Sequence, residues 1–508
     1  MWRSRTGLLK SGAYAPRYAW GPRRSGRGLQ PIRSSLAILG CVVATNRGGS
    51  AARLFSSGVW IHSRRSECSL QTIVFVGRES SYWIFTILVF SGKCNIIYTN
   101  AERIYVLKRE LYMQRLRQLR DEYVIKVLVG VRRSGKSTVL EMFRDELLDE
   151  GVEEKQITFI NFEEPERLEA ETYDWRIIYN EIVARLVSDR MNYIFLDEVQ
   201  NVPEFERMVN GLHAKKNVDL YITGSNAWFL SSEIATLLSG RYIEIKMLPF
   251  SFKEYTEMLS GSGKSEERLF QDYMTYGSFP QVAKFLRDGK SEQVSDYLSG
   301  IFNTVMVKDV MTRQGVSNVK TATNLMRFML DNIGNITSPK SISDTMTSDN
   351  QAVSHPTVTS YLTALTESYL LYEAERFDIK GKKLLRNLEK YYTVDTGLRY
   401  AVLGARANVD TGRILENIIY LELLRRENAV RVGRAGEKEI DFAVVDTAGL
   451  TSYYQVALSV RDENTLEREL GSLRGIDDNP KYLITLDPEE RNFDGIAQTN
   501  AIKWLLEK

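Results

Sequence analysis

A glycine-rich loop between an apolar, β-branched run and an amphipathic run constrains the fold of this chain more than any other feature. The apolar run at residues 123–129 is followed by Gly130-Val-Arg-Arg-Ser-Gly-Lys-Ser137. This sequence fits the motif G-x-x-x-x-G-K-[ST]. The motif requires a strand before it and a helix after it, and both are predicted here. The pattern therefore predicts a phosphate-binding loop, and the alternative is a chance glycine-rich turn.

The residue types in this loop predict that it binds ATP. Gly130 and Gly135 lack a Cβ, which allows the tight wrap and the close backbone approach that several N–H groups need to reach one phosphate. Lys136 is expected to contact the outer phosphates, and the Ser137 hydroxyl is expected to complete the ligand shell of Mg²⁺. The predicted nucleotide-binding residues are Gly130, Ser134, Gly135, Lys136, Ser137 and Thr138.

A second Gly-Ser-Gly-Lys-Ser sequence at residues 261–265 does not meet the same requirements. Met258 stands five residues before Gly263, where the motif needs glycine, and no apolar strand leads into it. This second sequence is predicted to be a surface turn between helices.

An apolar strand ending in two carboxylates is the second catalytic signature. Residues 192–198 read Asn-Tyr-Ile-Phe-Leu-Asp-Glu. Asp197 is predicted to hold Mg²⁺, and Glu198 is predicted to act as general base toward the attacking water. The alternative for one of the two carboxylates is the N-cap of the helix that begins near Pro203.

A third buried strand, at residues 218–226, ends in small polar side chains. If it lies beside the strand of Asp197, then Thr223, Ser225 or Asn226 is expected to sense the terminal phosphate and to align water. Of these three residues, Asn226 is the one predicted to play this catalytic role. An ordinary strand-to-helix turn is the alternative.

The alternation of strands and helices predicts an α/β fold with an open, mainly parallel sheet and nucleotide at the carboxyl ends of the strands. The pattern becomes entirely helical after this sheet, which favours a helical lid. The predicted division of the chain is an N-terminal extension at 1–106, an ATPase core at 107–250, a lid at 251–313, a winged-helix-like module at 314–395 and a C-terminal α/β domain at 396–508.

The first hundred residues differ in composition from the rest of the chain. They carry 14 Lys or Arg residues against Glu67 and Glu79, whereas the remaining residues carry 53 basic and 63 acidic ones. An Arg- and Ser-rich leader with few acids is typical of an organellar transit peptide. The alternative, which we favour, is an unstructured or non-native upstream extension that follows a start codon assigned too early. Both interpretations leave this segment out of the predicted fold.

The residues beyond position 100 contain no cysteine, and their only histidines are His213 and His355. This excludes a disulfide framework or a cysteine-ligated metal in that part of the chain, and it argues against a histidine-based centre. The apolar stretch at residues 83–90 is too short to span a bilayer. We therefore expect a cytoplasmic protein without membrane attachment.

Four motifs in order resemble a group of bacterial and archaeal AAA-type ATPases. They are Gly-Val-Arg-Arg-Ser-Gly-Lys-Ser, Phe-Leu-Asp-Glu-Val-Gln, Ile-Thr-Gly-Ser-Asn, and Leu-Ser-Gly-Arg-Tyr-Ile-Glu-Ile-Lys-Met-Leu-Pro-Phe-Ser-Phe-Lys-Glu-Tyr. The resemblance covers residues 107–508 and implies a P-loop NTPase with ATP and Mg²⁺ as cofactors. It also implies a C-terminal domain of unknown function similar to a degenerate restriction-endonuclease fold.

Oligomeric ATPases of this class often use an arginine at a subunit edge to complete the neighbour's transition state. Arg241, which follows Gly240, is predicted to play this role in a homo-oligomer. A surface or salt-bridged arginine is the alternative. Arg132 and Arg133 match the spelling of the family's loop but receive no catalytic role.

Residues 319–377 read as three helices followed by a strand, and basic residues 380–383 precede a second strand. This order favours a winged helix-turn-helix, which places its third helix in the DNA major groove. The third helix, at 357–367, contains no Lys or Arg, so sequence-specific readout is not expected. A packing module for protein contacts is the alternative.

The C-terminal segment is similar to nucleases of the PD-(D/E)xK type, in which an acid on a helix, an Asp and a Glu-x-Lys or Gln-x-Lys hold Mg²⁺. Glu416, Asp441 and Gln455 match the ligand positions, but Ala457 stands where the lysine belongs. The resemblance therefore implies a degenerate nuclease site. Lys438 is a candidate replacement for the missing lysine.

Three functions remain open from the sequence. The leading hypothesis is ATP hydrolysis that drives a conformational change on a DNA or protein client. An ATP-gated, metal-dependent DNA nuclease is the second hypothesis, and a slow ATP-dependent regulatory switch is the third.

Overall fold

The computed structural model describes residues 107–507, apart from gaps at 164–173, 227–237, 239, 313–317, 349–352, 382, 405–406, 408–409, 427–428 and 477–478, together with four strands before residue 106. The chain forms two compact units, Met1–Tyr105 and Val106–Lys508. Among the helices of the described parts, none has the length and apolarity needed to cross a membrane.

The first unit contains an antiparallel sheet. Its strands are β1 (Cys68–Gly77), β2 (Ser81–Phe90), β3 (Lys93–Ile96) and β4 (Ile104–Tyr105). β2 pairs with each of the other three strands. These strands lie in the segment that the sequence assigns to an unstructured or non-native extension, and that assignment stays a prediction. That the segment lies outside the folded ATPase stays a prediction.

The second unit begins with a five-stranded sheet in which every pairing is parallel. The strand order is β6-β7-β8-β5-β9. The strands are β5 (Ile125–Val129), β6 (Ile157–Asn161), β7 (Asn192–Asp197), β8 (Val218–Gly224) and β9 (Tyr242–Lys246). This confirms the α/β fold that the alternation of elements predicts.

Helices flank this sheet and bury one apolar face against it. They are α1 (Glu110–Leu119), α2 (Lys136–Asp149), α3 (Trp175–Arg185) and α4 (Phe205–His213). On α2, Phe143 lies 5.3 Å from the ring of Tyr221, which stacks at 4.9 Å on Phe195 of β7. The apolar runs of β5, β7 and β8 are buried along their whole length, as expected for central parallel strands.

Helices dominate the chain after the parallel sheet. They are α5 (Phe252–Met258), α6 (Glu266–Tyr276), α7 (Pro280–Arg287), α8 (Val294–Thr304), a π-helical segment (Val305–Thr312), α9 (Val319–Asp331), α10 (Pro339–Ser348) and α11 (His355–Glu367). Residues 261–265 form the exposed turn between α5 and α6. Ser265 caps α6 by accepting a hydrogen bond from the backbone N–H of Arg268, so the predicted surface turn is confirmed.

The last part of the chain builds a second, mixed sheet of nine strands in the order β10-β12-β11-β13-β14-β15-β16-β18-β17. The strands are β10 (Ile336–Thr337), β11 (Leu371–Asp378), β12 (Lys383–Thr393), β13 (Ala429–Ala435), β14 (Lys438–Val445), β15 (Thr451–Val456), β16 (Lys481–Thr485), β17 (Asn492–Phe493) and β18 (Ile496–Asn500). Its helices are α12 (Thr396–Leu403), α13 (Thr411–Arg426), α14 (Glu463–Leu473) and α15 (Ala501–Leu506).

This sheet crosses the predicted domain boundary between residues 395 and 396. β11 and β12 form the antiparallel hairpin that the sequence predicts as a wing. β11 also pairs in parallel with β13, through Arg376 and Val432 among others. The hairpin is therefore continuous with the C-terminal sheet.

Candidate functional site

The glycine-rich loop joins the carboxyl end of β5 to the first turn of α2. Gly130 has a φ of 149°, and a Cβ at this residue would lie 2.1 Å from the carbonyl oxygen of Met247. Gly135 has a φ of 102° and directly precedes α2. Both positions therefore need glycine, the first because of a close backbone approach and the second because of its conformation.

Lys136 and Ser134 lie buried inside the loop. Lys136 Nζ donates hydrogen bonds to the carbonyl oxygens of Gly130 at 3.0 Å and Val131 at 3.3 Å. Ser134 is fully buried, and its Oγ has no hydrogen-bond partner among the described residues. A buried hydroxyl without a partner, an ammonium group and a helix N-terminus together fit a phosphate group. Thr138 lies half-buried in the same helical turn.

Asp197 is fixed at the end of β7 by its neighbour on β8. The parallel pairing of Leu196 with Ile222 brings Thr223 beside it. Thr223 Oγ1 donates to Asp197 Oδ1 at 2.6 Å and accepts from the backbone N–H of Glu198 at 2.8 Å. Burial raises the pKa of Asp197, although hydrogen bonds from Thr223 and Ser137 lower it. A carboxylate beside a serine hydroxyl is an oxygen donor set that suits Mg²⁺.

Glu198 lies on the same edge of the sheet and faces Lys136, with 3.6 Å between Oε1 and Nζ. Burial acts to raise the pKa of Glu198, but the charges of Lys136 and Arg132 outweigh it and hold the pKa below its usual range. Gln200 donates to the Glu198 carboxylate and to Ser225 Oγ. This lowered pKa favours the ionised form of the buried Glu198 carboxylate, which is the form that a general base needs.

Arg109 is a residue near the loop that sequence reasoning missed. It is 3% exposed and donates to the carbonyl oxygens of Ser134, Leu248 and Pro249. It also forms two hydrogen bonds, of 2.9 and 2.8 Å, with the carboxylate of Glu254. Its guanidinium therefore ties the loop to α5. No sequence motif marks this residue, because its partners are backbone groups brought near by folding.

Arg132, which received no role from the sequence, is buried and points to two acidic side chains. Its Nε donates to Asp309 Oδ2 at 2.8 Å, and its terminal nitrogen donates to Glu163. Asp309 lies 177 positions further along the chain. No local pattern could have indicated this pair.

The two remaining predicted catalytic residues lie at opposite ends of the sheet. Asn226 is 1% exposed and follows β8 directly, at the carboxyl edge where the loop lies. Arg241 is exposed and precedes β9, and its carbonyl oxygen accepts a hydrogen bond from Ile125 at the amino end of β5. Arg241 is therefore separated from the loop of its own chain. A role toward a neighbouring subunit stays a prediction.

The three predicted ligands of the degenerate nuclease site do come together in the C-terminal sheet. Gln455 accepts a hydrogen bond from the backbone N–H of Asp441 at 3.3 Å and donates to Glu469 at 2.8 Å. Asp441 Oδ2 accepts from the backbone N–H of Val456 at 2.9 Å. Glu416 lies on α13 and accepts from the hydroxyl of Tyr392 at 2.6 Å.

A lysine lies at the centre of this cluster. Lys390 Nζ, from β12, lies 2.9 Å from Glu416, 2.9 Å from Glu439 and 3.6 Å from Asp441. Lys438, the candidate replacement, instead donates to the carbonyl oxygen of Gly471. No group of acidic, histidine or cysteine side chains in the described part of the chain has the arrangement of a metal site. The acids that the resemblance assigns to Mg²⁺ are instead ion-paired with the ammonium group of Lys390.

Comparisons with known proteins agree with this geometry. Residues 122–256 match a family described as an AAA domain, and residues 267–409 match a domain of unknown function, DUF8612. An uncharacterized protein of Haemophilus influenzae is 38% identical over 412 residues, which cover 79% of this chain and 99% of that protein. The chain belongs to the family of this protein.

A second relative is more distant in sequence. An uncharacterized protein of Methanocaldococcus jannaschii is 29% identical over 342 residues, which cover 63% of this chain and 72% of that protein. A Walker-type ATPase of Pyrococcus abyssi aligns in structure with 15% identity and a TM-score of 0.41, over 59% of this chain and 96% of that chain. Residues 122–256, which form the parallel sheet and the glycine-rich loop, are an AAA-family, ATPase-like domain by their family match.

Proposed function

We propose that the chain hydrolyses ATP with Mg²⁺ at the carboxyl edge of the parallel sheet. The observation that carries this proposal is the convergence there of Lys136 and Ser137 from α2 with Asp197 and Glu198 at the carboxyl end of β7. The buried Thr223 supports it by fixing Asp197 and the backbone of Glu198 at once.

Each side chain has a distinct role in this proposal. Lys136 binds the outer phosphates, and Ser137 and Asp197 would hold Mg²⁺, which neutralises charge that develops on the phosphate oxygens. Glu198 accepts the proton of the attacking water, and its lowered pKa keeps it ready to do so at neutral pH. Asn226 is proposed to orient that water.

Two substitutions in the full chain separate binding from chemistry. Lys136→Ala is expected to abolish binding of a fluorescent ATP analogue, whereas Glu198→Gln is expected to retain binding and to lose hydrolysis by about 10²-fold or more. Glu206→Gln, at a half-buried residue of α4 outside the loop, is the matched control for loss of one carboxylate. Normal hydrolysis by Glu198→Gln would show that another group is the base.

We further propose that hydrolysis drives a conformational change on a DNA or protein client through the winged-helix-like module and the C-terminal sheet. Steady-state ATPase activity with and without double-stranded DNA, at low and moderate salt, tests which client is used. Stimulation that weakens as salt rises indicates contacts with phosphates. Hydrolysis that is indifferent to DNA indicates a protein client. Slow turnover under every condition favours the regulatory switch.

The C-terminal part is proposed to be a restriction-endonuclease-like domain without cleavage chemistry. The order α13, β13, β14, β15, α14 and β16, with the three matched side chains in one cluster, supports the likeness. Ala457 stands at the position of the usual lysine, and Lys390 forms ion pairs with Glu416 and Asp441, which would have to hold the metal; both features argue against cleavage. Incubation of the full chain with supercoiled DNA and Mg²⁺ or Mn²⁺ is expected to yield no nicked product, and nicking that Asp441→Asn abolishes would restore the nuclease hypothesis.

A further inference from the structure

Arg132 belongs to the glycine-rich loop, yet its side chain extends away toward acidic side chains of two other elements. Asp309, its partner through Nε, is fully buried in the π-helical segment. Glu163, its second partner, follows the end of β6 and is 41% exposed. One guanidinium thus joins the loop, the edge of the parallel sheet and the helical region.

The π-helical segment lies between Arg132 and the helices that follow in the chain, so a shift of Arg132 can reach those helices through it. π-Helical hydrogen bonding is rare and is often found at functional positions, because it inserts a residue into a helix and leaves the backbone less regular. The segment continues α8 without a break, and α9 is the next described helix along the chain. α9 packs on the π-helical segment, on α11, against which α10 also packs, and on α12, which adjoins the C-terminal sheet.

Arg132 is also electrostatically linked to the catalytic edge. Glu198 lies near enough for its negative charge to favour the charged form of Arg132, together with Asp309 and Glu163. A triphosphate in the loop would bring further negative charge to the same guanidinium. Because an arginine offers its donors in a fixed planar fork, a turn toward one acceptor changes its bonds to the others.

We propose that the contacts of Arg132 with Asp309 and Glu163 transmit nucleotide binding from the loop to the helices between residues 319 and 348. This inference rests on the proposed ATP binding and names the path by which it acts. Arg132 is a positioning residue in this mechanism, and Asp309 is the residue that receives the change. Both acids are needed in this mechanism. Asp309 connects Arg132 to the helical region, and Glu163 holds the guanidinium at the edge of the sheet.

Hydrogen exchange measured by mass spectrometry on the full chain tests this path. In the unsubstituted protein, a non-hydrolysable ATP analogue is expected to change the exchange of α9 and α10 amides. Asp309→Asn keeps the size of the side chain and removes its charge. This variant is expected to bind the analogue and to lose the response in α9 and α10 by about fivefold or more, the lower end of typical coupling between sites.

Asp219→Asn is the matched control. Asp219 is 1% exposed and forms a buried ion pair with Lys126, but this pair lies at the amino ends of β8 and β5, opposite the loop. The control is expected to lose stability while it keeps the exchange response. If Asp309→Asn fails to fold, Glu163→Gln at its partly exposed position serves as the second variant, and a reduced response is expected there too.

The outcomes separate this inference from the proposed function. If Asp309→Asn binds the analogue and shows the same change in hydrogen exchange as the unsubstituted protein, the contacts of Arg132 do not transmit nucleotide binding. Equal loss of the response in Asp219→Asn overturns the inference as well, because general destabilisation then explains the effect. If the unsubstituted chain binds no nucleotide, the proposed function fails, and the path fails with it.

Discussion

One added methyl group at a glycine of the glycine-rich loop can prevent the loop from forming. Gly130→Ala would place a methyl group 2.1 Å from the backbone oxygen of Met247, so β9 or the loop must shift. Gly151→Ala is the matched control, since Gly151 also has a positive φ, of 95°, but a methyl group there would meet no atom within 4 Å. We expect the control to lose about 1 kcal/mol of unfolding free energy. Gly130→Ala is expected to lose several times more, together with nucleotide binding, in thermal unfolding and binding assays.

Thr223 is the second residue whose role depends on one atom. Thr223→Val keeps the shape but removes the hydroxyl that donates to Asp197 and accepts from the backbone of Glu198. We expect a loss of about 1–3 kcal/mol of unfolding free energy, because two buried polar groups lose their partner. The rate of ATP hydrolysis should fall as well. Thr223→Ser keeps the hydroxyl and should recover most of both losses; equal losses in the two variants would contradict this role.

At the scale of elements, the cluster that joins β12, β14 and α13 should make stability depend on pH. Burial, together with the charge of Glu416, raises the pKa of Asp441 to about 7, although Lys390 opposes this. Glu439 and Glu469 also face the cluster. The folded state therefore holds a proton on Asp441 that the unfolded state releases above its ordinary pKa of about 4. This contribution to stability is present at low pH and is lost as pH rises from about 4 to 7.

Asp441→Asn isolates this contribution. The unfolding free energy of the unsubstituted chain should fall relative to that of the variant by up to about 1.4 kcal/mol per pH unit between pH 4 and 7. Below pH 4 the difference should be constant, because Asp441 is protonated in both states. Denaturant unfolding at several pH values measures the difference. A difference independent of pH across the window would show that Asp441 stays ionised in the folded state.

At the scale of the whole molecule, the position of Arg109 predicts where the ATPase part can be shortened. A chain of residues 107–508 keeps the guanidinium that ties the loop to α5 and should keep its ATPase activity. A chain of residues 111–508 removes the buried Arg109 and leaves Glu254 without its charged partner. We expect the shorter chain to be less stable by about 3–5 kcal/mol, the usual cost of breaking a buried ion pair.

The comparison of the two shortened chains uses thermal unfolding and steady-state hydrolysis. Lys108→Ala is the control, because Lys108 is 49% exposed and pairs with Glu146 at the surface. Removal of the Lys108 side chain should change the unfolding free energy little, because exposed ion pairs contribute little to stability. Equal stability of the two shortened chains would show that Arg109 is not needed, and loss of folding in the chain of 107–508 would give the N-terminal segment a structural role.

Features that depend on neighbouring residues along the chain could be predicted from the sequence. The loop at 130–137 requires two glycines for reasons local to the backbone. The runs of β5, β7 and β8 are apolar on both faces, which is the pattern of buried parallel strands. The interpretation of Thr223, Ser225 and Asn226 depended on one assumption, that the strand of Asp197 and the next buried strand are adjacent. The pairing of β7 with β8 satisfies this assumption, and the role of these residues toward phosphate stays a prediction.

The pairing of charged residues that are distant in sequence could not be predicted and became visible only in the folded chain. Arg132 and Asp309 are separated by 177 positions, and Arg109 binds mostly carbonyl groups, which every residue has. Lys390 reaches the acids of the C-terminal sheet from a strand that the sequence assigned to another module. Such contacts leave no periodic or local signal, because burial and sheet order bring the partners together and adjacent sequence does not.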